Sequence, residues 1–599
     1  MAYKSLEEAL LDLEKAGMLR RVKVEVDPEL EMPAIAHDAY NAKGPALLFE
    51  KVKGSKFRAA ANLFGLEARA EFLFRKTLPS LRTAIQTKAD LLALLKSPLE
   101  WPRLPGIGMH ALPVKALKAP VMECECTLSE LPQLKSWPQD GGAFLTLPQV
   151  FAFEPGDPSM LRSNIGMYRI QISGNAYAKD ECGLHYQLNR GIAKYHQAAM
   201  ASGKPLKVSI FLGGPPAHTL AAAMPMPDSI PEVLFAGILA GRAFRYKMLE
   251  GWAVSAEADF CLLGEVAPDL KPEGPFGDHM GYYSARHPFP YLKLKKIFHK
   301  KDAIFPFTVV GRPPAEDTTF GKIIHDLVEP MVPVSVSGLH EMNAVDAAGV
   351  HPLLLALGSE RFVPYAEREP MELHKIANGL LGFNQASLAK YLWIAAKEDS
   401  PTLTVKDERS FMQHVLERVR PERDLHFQTA TTLDTLDYSG PSLNHGSKLV
   451  ISAAGKPCRK LARSISELDG LKLPEGFSNP KLVVPGILAI SAKIGAKIEQ
   501  LETAFEDFPN RESFPWVTLT GDSEFCAASF KNWLWITFTR TDPARDIHGA
   551  FESLKDKHWS CKAPIIADAR WKPHFQQPLT MPAEISQKAR SILLDALKA

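Results

Sequence analysis

The stretch that decides the fold reads FLTLPQVFAFEPGDPSMLRSNIGMYRIQ and covers residues 144–171. Apolar and β-branched residues form short runs there, and proline and glycine interrupt them, which is typical of short strands joined by tight turns. The same pattern of short apolar runs continues in LKVSIFLGG at 206–214 and AVSAEADFCLLGEV at 253–266. We therefore predict a barrel or a strongly curved sheet between about residues 115 and 310.

The segments on either side of this β-rich middle mix helix and strand patterns. YLWIAAKED at 391–399, PWVTLTG at 515–521 and NWLWITFTRT at 532–541 are read as strands, and ERSFMQHVLERV at 408–419 as a helix. No internal repeat is visible in the sequence. The predicted fold class is α/β (α+β) with several domains. Their predicted bounds are 1–115, 116–315, 316–455 and 456–599.

Length and charge exclude several classes of protein. With 599 residues, the chain is long enough for three or four domains. Its 70 Lys and Arg against 68 Asp and Glu leave a net charge of +2, which is too little for a dedicated nucleic-acid binder. The longest apolar run, near 233–240, is far shorter than the roughly 20 residues of a membrane span. We expect neither a nucleic-acid partner nor a transmembrane segment.

The N-terminus and the cysteines indicate a cytoplasmic protein. Acidic residues interrupt the opening MAYKSLEEALLDLEKAG, which therefore lacks the apolar core of a signal peptide. The seven cysteines are scattered without a C-x-x-C pair. They predict neither a zinc site nor a disulfide framework.

The first candidate site segment is SNIGMYRIQ at 163–171, where Asn164 and Arg169 stand among apolar residues. On a regular strand, two residues five apart face opposite sides. Both side chains can serve one site only if the strand is bulged, for example at Gly166, or if a ligand wraps around its end. A buried arginine in an ordinary salt bridge would produce the same pattern.

The second segment is EGPFGD at 273–278, a stiff turn that carries Glu273 and Asp278. Two carboxylates near a fixed arginine suit proton chemistry. The arginine keeps one of them ionised, while burial pushes the other towards a neutral, proton-donating form. The alternative is a surface turn with two solvated acids.

The third cluster contains His185, Asn189 and Glu232. A helical pattern covers about 185–201, and on a helix His185 and Asn189 share one face. Their oxygen and nitrogen atoms suit an ion such as Mn²⁺ or Mg²⁺. The spacing alone matches no metal-binding signature.

Taken together, these segments resemble the UbiD-like decarboxylases, which use prenylated flavin mononucleotide (prenylated FMN). The resemblance rests on four patterns: N-x-G-x-Y-R-x-Q at 164–171, Arg190-Gly191, Met224-Pro225 ahead of Glu232, and EGPFGDHMGYY at 273–283. It implies a central split-barrel flavin-binding domain flanked by α/β domains, of which the C-terminal one drives homo-oligomerisation to a dimer or hexamer. It also implies reversible, non-oxidative decarboxylation of an aromatic or α,β-unsaturated carboxylic acid.

The resemblance further implies roles for single residues. The expected catalytic residues are Arg169, Glu273 and Asp278, with Asp278 as the proton donor that replaces the departing CO₂. The residues expected to line the cofactor are Met167, Tyr168, Arg169, Arg190, Gly191, Met224 and Pro225. The expected ligands of Mn²⁺ or another divalent metal are Asn164, Glu232 and Asn189, and K⁺ is a further cation that the resemblance allows.

Two departures from the family pattern leave questions open. Many members have a histidine ligand where this chain has Asn189, so His185, Asn189 or a water molecule completes the metal site. The chain is also longer than many relatives, and the excess lies after about residue 455. This extension is interpreted as a structural or oligomerisation module, with a lid or partner-docking segment as the alternative.

The leading hypothesis is a carboxy-lyase for an aromatic carboxylate, in ubiquinone or menaquinone biosynthesis, with a polyprenyl-hydroxybenzoate or naphthoate type of substrate. Decarboxylation leaves electron density on carbon that no side chain accepts, so a cofactor is needed, and a flavin prenyltransferase would supply it. The alternatives are a flavin reductase on the same barrel and a non-catalytic flavin-binding or assembly protein. A flavin reductase would give the carboxylates of Glu273 and Asp278 no role in the reaction.

Overall fold

The computed structural model describes residues 3–89, 104–186, 191–226, 230–328, 335–363 and 365–598. The chain divides into two compact units, the first made of Met1–Val328 with Pro578–Ala599 and the second of Glu329–Gln577. Within the described residues, every helix is too short or too polar to span a lipid bilayer.

The elements of the first unit up to residue 328 are rich in short strands. The strands are β1 (Leu19–Val26), β2 (Ala46–Val52), β3 (Arg58–Ala61), β4 (Val114–Lys115), β5 (Cys124–Glu125), β6 (Phe144–Leu145), β7 (Gln149–Phe153), β8 (Ser163–Gly166), β9 (Ile170–Gln171), β10 (Glu181–Leu184), β11 (Lys207–Leu212), β12 (Arg245–Leu249), β13 (Trp252–Ser255), β14 (Phe260–Glu273), β15 (His287–His299) and β16 (Ile304–Phe307). The helices are α1 (Leu6–Lys15), α2 (Glu31–Asn41), α3 (Glu67–Phe74), α4 (Leu78–Ala89), α5 (Leu104–Ala111), α6 (Gly191–Ala201), α7 (Pro216–Ala223), α8 (Glu232–Ala240) and α9 (Glu316–Val328).

The largest sheet of the first unit is strongly curved, as predicted. Its nine strands run in the order β6-β9-β10-β15-β14-β11-β7-β8, with β5 beside β15. β8 is thus the last strand at one end of the sheet and β9 is the second strand from the other end, although only residues 167–169 separate them in the chain. An extended residue spans at most about 3.6 Å, so this short link forces the two ends towards each other. No ladder among the described strands joins β8 to β9 or β6, which leaves the rolled sheet split.

The other sheets of the first unit are β1-β2-β3-β16 and β13-β12-β4. The chain returns to this unit at its end, where α16 (Ala583–Lys598) packs against α2 and β1. Ala589 and Leu593 of this helix are buried in the same apolar core as Ile35 and Phe49. The last residues of the extension are therefore part of the first unit's core.

The second unit contains two sheets with the same strand order. The strands are β17 (Leu339–Ala344), β18 (Leu353–Gly358), β19 (Tyr391–Ala396), β20 (Leu425–Thr432), β21 (His445–Ala453), β22 (Phe477–Val484), β23 (Ile487–Ala492), β24 (Trp516–Thr520), β25 (Ile547–Lys555) and β26 (His558–Asp568). The helices are α10 (Glu372–Leu381), α11 (Glu408–Arg418), α12 (Ile498–Glu506), α13 (Ser523–Ala527), α14 (Phe530–Arg540) and α15 (Pro543–Asp546).

The orders are β17-β18-β19-β21-β20 and β22-β23-β24-β26-β25, each with three parallel strands between antiparallel edge strands. The second sheet thus repeats the topology of the first, although the sequence shows no repeat. Trp393 of the first sheet packs against Trp516 of the second, with ring centroids 5.2 Å apart.

One prediction about local structure is wrong: NWLWITFTRT is not a strand. It lies mostly in α14, whose N-cap Ser529 accepts a hydrogen bond from the Asn532 N–H. Every residue from Trp533 to Thr539 is buried. A helix buried on all sides shows no apolar stripe, so its 3.6-residue period is hidden in the sequence.

Candidate active site

The link between β8 and β9 carries the central residue of the site, Arg169. β8 ends at Gly166, and the next strand begins at Ile170. Because the strand is interrupted at this point, Arg169 and Asn164 need not alternate as they would on one regular strand. The sequence had suggested an irregularity at Gly166, and the structure has one directly after it.

Arg169 contacts both carboxylates of the EGPFGD loop. Its Nε and Nη2 donate to Oε1 and Oε2 of Glu273 at 2.9 and 2.8 Å, a bidentate pair, while its Nη1 donates to the Asp278 carboxylate. Nη2 also donates to Ser284 Oγ at 3.0 Å. The guanidinium carbon lies 4.7 Å from the centre of the Phe276 ring. The structure therefore brings the three predicted catalytic residues together.

The two carboxylates are buried, yet the pKa of each is lowered. Burial alone would raise the pKa of Glu273, but the Arg169 charge reverses this effect and holds that pKa well below its usual range. Burial likewise opposes ionisation of Asp278, and hydrogen bonds from His279 together with Arg169 lower its pKa. In this arrangement the pKa values of both acids are lowered, because Arg169 pairs with both, whereas the sequence led us to expect that burial pushes one of the two towards its neutral form.

His185 lies beside these residues and not on a helix with Asn189. It follows β10, and helix α6 begins only at Gly191 among the described residues, so the predicted helix over 185–201 is too long at its start. The His185 Nδ1 lies 3.2 Å from Arg169 Nη2, and its ring centre lies 4.2 Å from that of Phe289. Burial, together with the Arg169 charge, lowers the pKa of His185. The His185 Nδ1 also lies 3.3 Å from Glu273 Oε2, and because Arg169 Nη2 already donates to Glu273 and Ser284, a neutral ring protonated at Nδ1 donates to the Glu273 carboxylate.

A second loop holds the EGPFGD loop in place. The Asp140 carboxylate accepts hydrogen bonds from the Gly277 N–H at 2.7 Å and from the Trp137 N–H at 2.9 Å. Gly141 donates its N–H to the Pro275 carbonyl at 2.7 Å. A Cβ on Gly141 would lie 2.2 Å from the Gly274 carbonyl oxygen, so the two backbones approach too closely for a side chain.

Gln171 supports the same loop from β9, because its Oε1 accepts the Gly274 N–H at 2.9 Å. This contact explains the glutamine in the N-x-G-x-Y-R-x-Q pattern. Sequence reasoning missed the contributions of Ser284 and Asp140, and it considered His185 only as a metal ligand. For Asp140 the available signal was the Asp-Gly-Gly turn at 140–142, which indicates a turn but not its partner.

The predicted metal ligands Asn164 and Glu232 are neighbours. Asn164 Nδ2 lies 3.3 Å from Glu232 Oε1, and the Ile165 N–H donates to Glu232 Oε2 at 2.9 Å. A Cβ on Gly191 would lie 2.7 Å from Asn164 Nδ2, so Gly191 borders the same place. An amide and a carboxylate side by side fit a divalent cation that prefers oxygen ligands. Asn189 and Arg190 lie outside the described residues.

The remaining predicted cofactor residues surround the β8–β9 link. The Met167 N–H donates to the Ala222 carbonyl at 2.8 Å, which ties the link to the end of α7, directly before Met224 and Pro225. Met167 and Met224 belong to one apolar cluster. The Tyr168 hydroxyl lies 3.5 Å from Asn164 Oδ1. Tyr168 therefore lies beside the Asn164–Glu232 pair, and the link that carries Met167 and Arg169 is bound to the end of α7.

A buried arginine between two carboxylates, at the link between two strands of a split sheet, is an arrangement suited to binding an anion and to transferring a proton. Family comparison specifies the class. Models described as the N-terminal, Rift-related and C-terminal domains of 3-octaprenyl-4-hydroxybenzoate carboxy-lyase match residues 10–87, 112–313 and 318–453. The chain belongs to this family, the UbiD family of carboxy-lyases, which confirms the family predicted from the motifs.

Some relatives match this chain over nearly its whole length, and others match only part of it. A protein of Chlamydia pneumoniae, described as one of the subunits of 4-hydroxybenzoate decarboxylase, is 34% identical over 94% of this chain and 93% of its own length. An uncharacterized protein of Chlamydia caviae is 34% identical over 98% of both chains. An uncharacterized protein of Archaeoglobus fulgidus is 32% identical over 92% of its own length but only 76% of this chain.

Solved structures share the fold. Vanillic acid decarboxylase of Sedimentibacter hydroxybenzoicus in its closed form matches with a TM-score of 0.64 and 23% identity, over 80% of this chain and 97% of that chain. The UbiD-class enzyme HmfF of Pelotomaculum thermopropionicum in complex with FMN matches with a TM-score of 0.59 and 21% identity, over 78% of this chain and 99% of that chain.

Proposed function

We propose that the protein catalyses reversible, non-oxidative decarboxylation of an aromatic carboxylic acid with prenylated FMN and a divalent metal. The observation that carries the proposal is the buried arrangement of Arg169 between Glu273 and Asp278. Family membership supports the reaction class. The Chlamydia pneumoniae relative, described by its action on 4-hydroxybenzoate, favours a hydroxybenzoate as substrate.

The cofactor would be held by Met167, Tyr168, Met224 and Pro225 together with Arg190 and Gly191. Asn164 and Glu232 would bind Mn²⁺, with Asn189 as the proposed third ligand and K⁺ as a further cation. The bound cofactor would supply the acceptor for electron density that decarboxylation leaves on carbon.

The chain's own residues would orient the substrate and deliver a proton. A substrate carboxylate competes with Asp278 for the Arg169 guanidinium, because both are anionic acceptors for the same N–H groups. Once Arg169 turns to the substrate, buried Asp278 loses a partner that stabilises its charge, and its pKa rises. Asp278 then takes up a proton and gives it to the carbon that CO₂ has left, while Glu273 keeps Arg169 in place.

The test is CO₂ release from 4-hydroxybenzoate by protein co-produced with a flavin prenyltransferase. We expect Asp278→Asn to lower kcat by roughly 10²–10⁴-fold, the usual contribution of a general acid. Asp302→Asn, at an exposed turn, is the matched control and should retain wild-type activity. Wild-type turnover by Asp278→Asn would remove Asp278 from its role, and no turnover of any aromatic acid by the cofactor-loaded wild type would refute the proposal.

The physiological setting is part of the same proposal. We propose a homo-oligomer in the cytoplasm, supplied with cofactor by a flavin prenyltransferase and acting in ubiquinone or menaquinone biosynthesis. Light scattering of the cofactor-loaded protein tests the assembly, and a monomer at micromolar concentration would contradict it. Loss of quinone on deleting the gene, restored by the wild-type chain but not by Asp278→Asn, tests the pathway.

A further inference from the structure

A histidine and two glutamates converge in the second sheet of the second unit. Glu502 lies on α12, and His548 and Glu552 lie on β25. His548 Nδ1 is 3.6 Å from Glu502 Oε1 and 3.7 Å from Glu552 Oε1. One ligand atom from each of the three residues lies within 4.8 Å of the other two. None of these residues belongs to the proposed active site.

These distances are close to those of a metal centre. Zinc ligands lie about 2.0–2.2 Å from the ion, which places tetrahedral donor atoms roughly 3.4 Å apart. Two of the observed separations exceed this value by only a few tenths of an ångström. Small side-chain rotations would close the remaining gap.

The backbone of β25 is shaped so that His548 and Glu552 can meet. Four residues along a regular strand span about 13 Å, which is too far for two side chains to share an ion. The pairing of β25 with β26 is irregular on both sides of Ala550, and Phe551 has φ of +53°. The Gly549 N–H donates to Glu552 Oε1 at 3.1 Å, which turns that carboxylate back towards His548.

The basic side chain of the cluster is the His548 imidazole, which is charged only when it is protonated. Among the described residues, no lysine or arginine forms an ion pair with Glu502 or Glu552. The Glu502 and His548 side chains are only partly exposed, at 16% and 29%, so water screens them incompletely, whereas Glu552 is 36% exposed. A divalent cation would compensate the charge of the two carboxylates.

We propose that Glu502, His548 and Glu552 bind one divalent transition-metal ion, with Zn²⁺ preferred. One imidazole nitrogen and two carboxylate oxygens are ligands that zinc accepts, and the fourth position is left to water. The ion would link α12 to β25 and so stabilise the second sheet of this unit. This site is independent of the decarboxylase reaction.

The experiment titrates ZnCl₂ into the tag-free full-length chain after treatment with EDTA, with binding measured by calorimetry. Glu232→Gln serves as the background, because it removes a proposed ligand of the active-site metal. We expect this variant to bind one Zn²⁺. Adding His548→Ala should weaken binding by more than about 100-fold, beyond the 10–100-fold cost of losing an outer-shell partner. Adding His574→Ala, an exposed histidine of the same unit, should change nothing.

A second readout covers the case in which His548→Ala unfolds. Zn²⁺ should raise the melting temperature of the Glu232→Gln background by several degrees and leave that of Glu232→Gln/Glu502→Gln unchanged. Equal zinc affinity with and without His548, or the absence of zinc binding by Glu232→Gln, would overturn the proposal. Either result leaves the decarboxylase proposal untouched, since CO₂ release by the wild type is measured separately.

Discussion

The Arg169 guanidinium binds the Glu273 carboxylate through two parallel hydrogen bonds of 2.9 and 2.8 Å, across 104 residues of sequence. The Glu273 side chain is 1% exposed and that of Arg169 is 9% exposed. A bidentate pair of this kind fixes the orientation of the guanidinium as well as its position. The stability and the chemistry of the site should both depend on it.

The pair makes the effect of Glu273 on stability dependent on pH. Its pKa is lowered in the folded protein, so the stabilisation is present above the unfolded value of 4.5 and is lost as the pH falls below it. At pH 7, Glu273→Gln should cost about 3 kcal/mol, because Arg169 loses a buried ionic partner. Thermal unfolding of both proteins between pH 4 and 8 should show the gap in melting temperature narrowing below about pH 5. A gap that is constant with pH would mean that Glu273 is not ionised.

His185 should affect catalysis and not metal content. Because its Nδ1 lies within hydrogen-bond distance of the Glu273 carboxylate, His185→Ala should lower kcat by roughly 10–100-fold, the value of one hydrogen bond to a charged group. Metal analysis of the purified protein should find the wild-type amount of manganese. Asn189→Ala should instead lower that amount. Manganese loss in His185→Ala alone would identify His185 as the ligand.

The close approach of the 137–142 and 274–277 segments should be intolerant of a single methyl group. Gly141→Ala places its Cβ against the Gly274 carbonyl, and we expect a loss of about 1–3 kcal/mol and a lower kcat. Gly321→Ala is the matched control, because a Cβ at this position of α9 meets no atom within 4 Å. The control should keep its activity and gain roughly 0.5–1 kcal/mol of helix stability. Equal kcat values for the two variants would contradict the idea that the contact between the 137–142 and 274–277 segments supports catalysis.

The C-terminal helix should be needed for the stability of the first unit. Leu593 is 5% exposed and lies in the core of that unit, whereas the adjacent Leu594 is 50% exposed. Leu593→Ala should cost about 2–4 kcal/mol and Leu594→Ala less than about 0.5 kcal/mol, as measured by thermal unfolding. The Leu579 N–H also donates to the Gly281 carbonyl at 3.0 Å, which connects the end of the chain to the loop of Asp278. Leu593→Ala should therefore also lower activity near its melting temperature.

The sequence determined those features that depend on local patterns. The sequence predicts the short strands of the middle segment, because apolar and polar residues alternate along a strand with a period of two. It also predicts the turn of EGPFGD from its proline and glycines. The motifs also identified the family. An interruption near Gly166 was one of the two arrangements that the spacing of Asn164 and Arg169 allowed, the other being a ligand that wraps around the strand end.

Tertiary structure alone decided which distant residues meet. That Arg169 neutralises both acids, that Asp140 holds the EGPFGD loop, and that α16 returns to the first unit all depend on contacts between residues far apart in the chain. Tertiary packing also decided α14. Its residues are buried on all sides, so the sequence shows no apolar stripe from which a helix could be predicted. The repeated topology of the second unit was hidden for a related reason. A sheet needs apolar strands in a given order, and many different sequences satisfy that requirement.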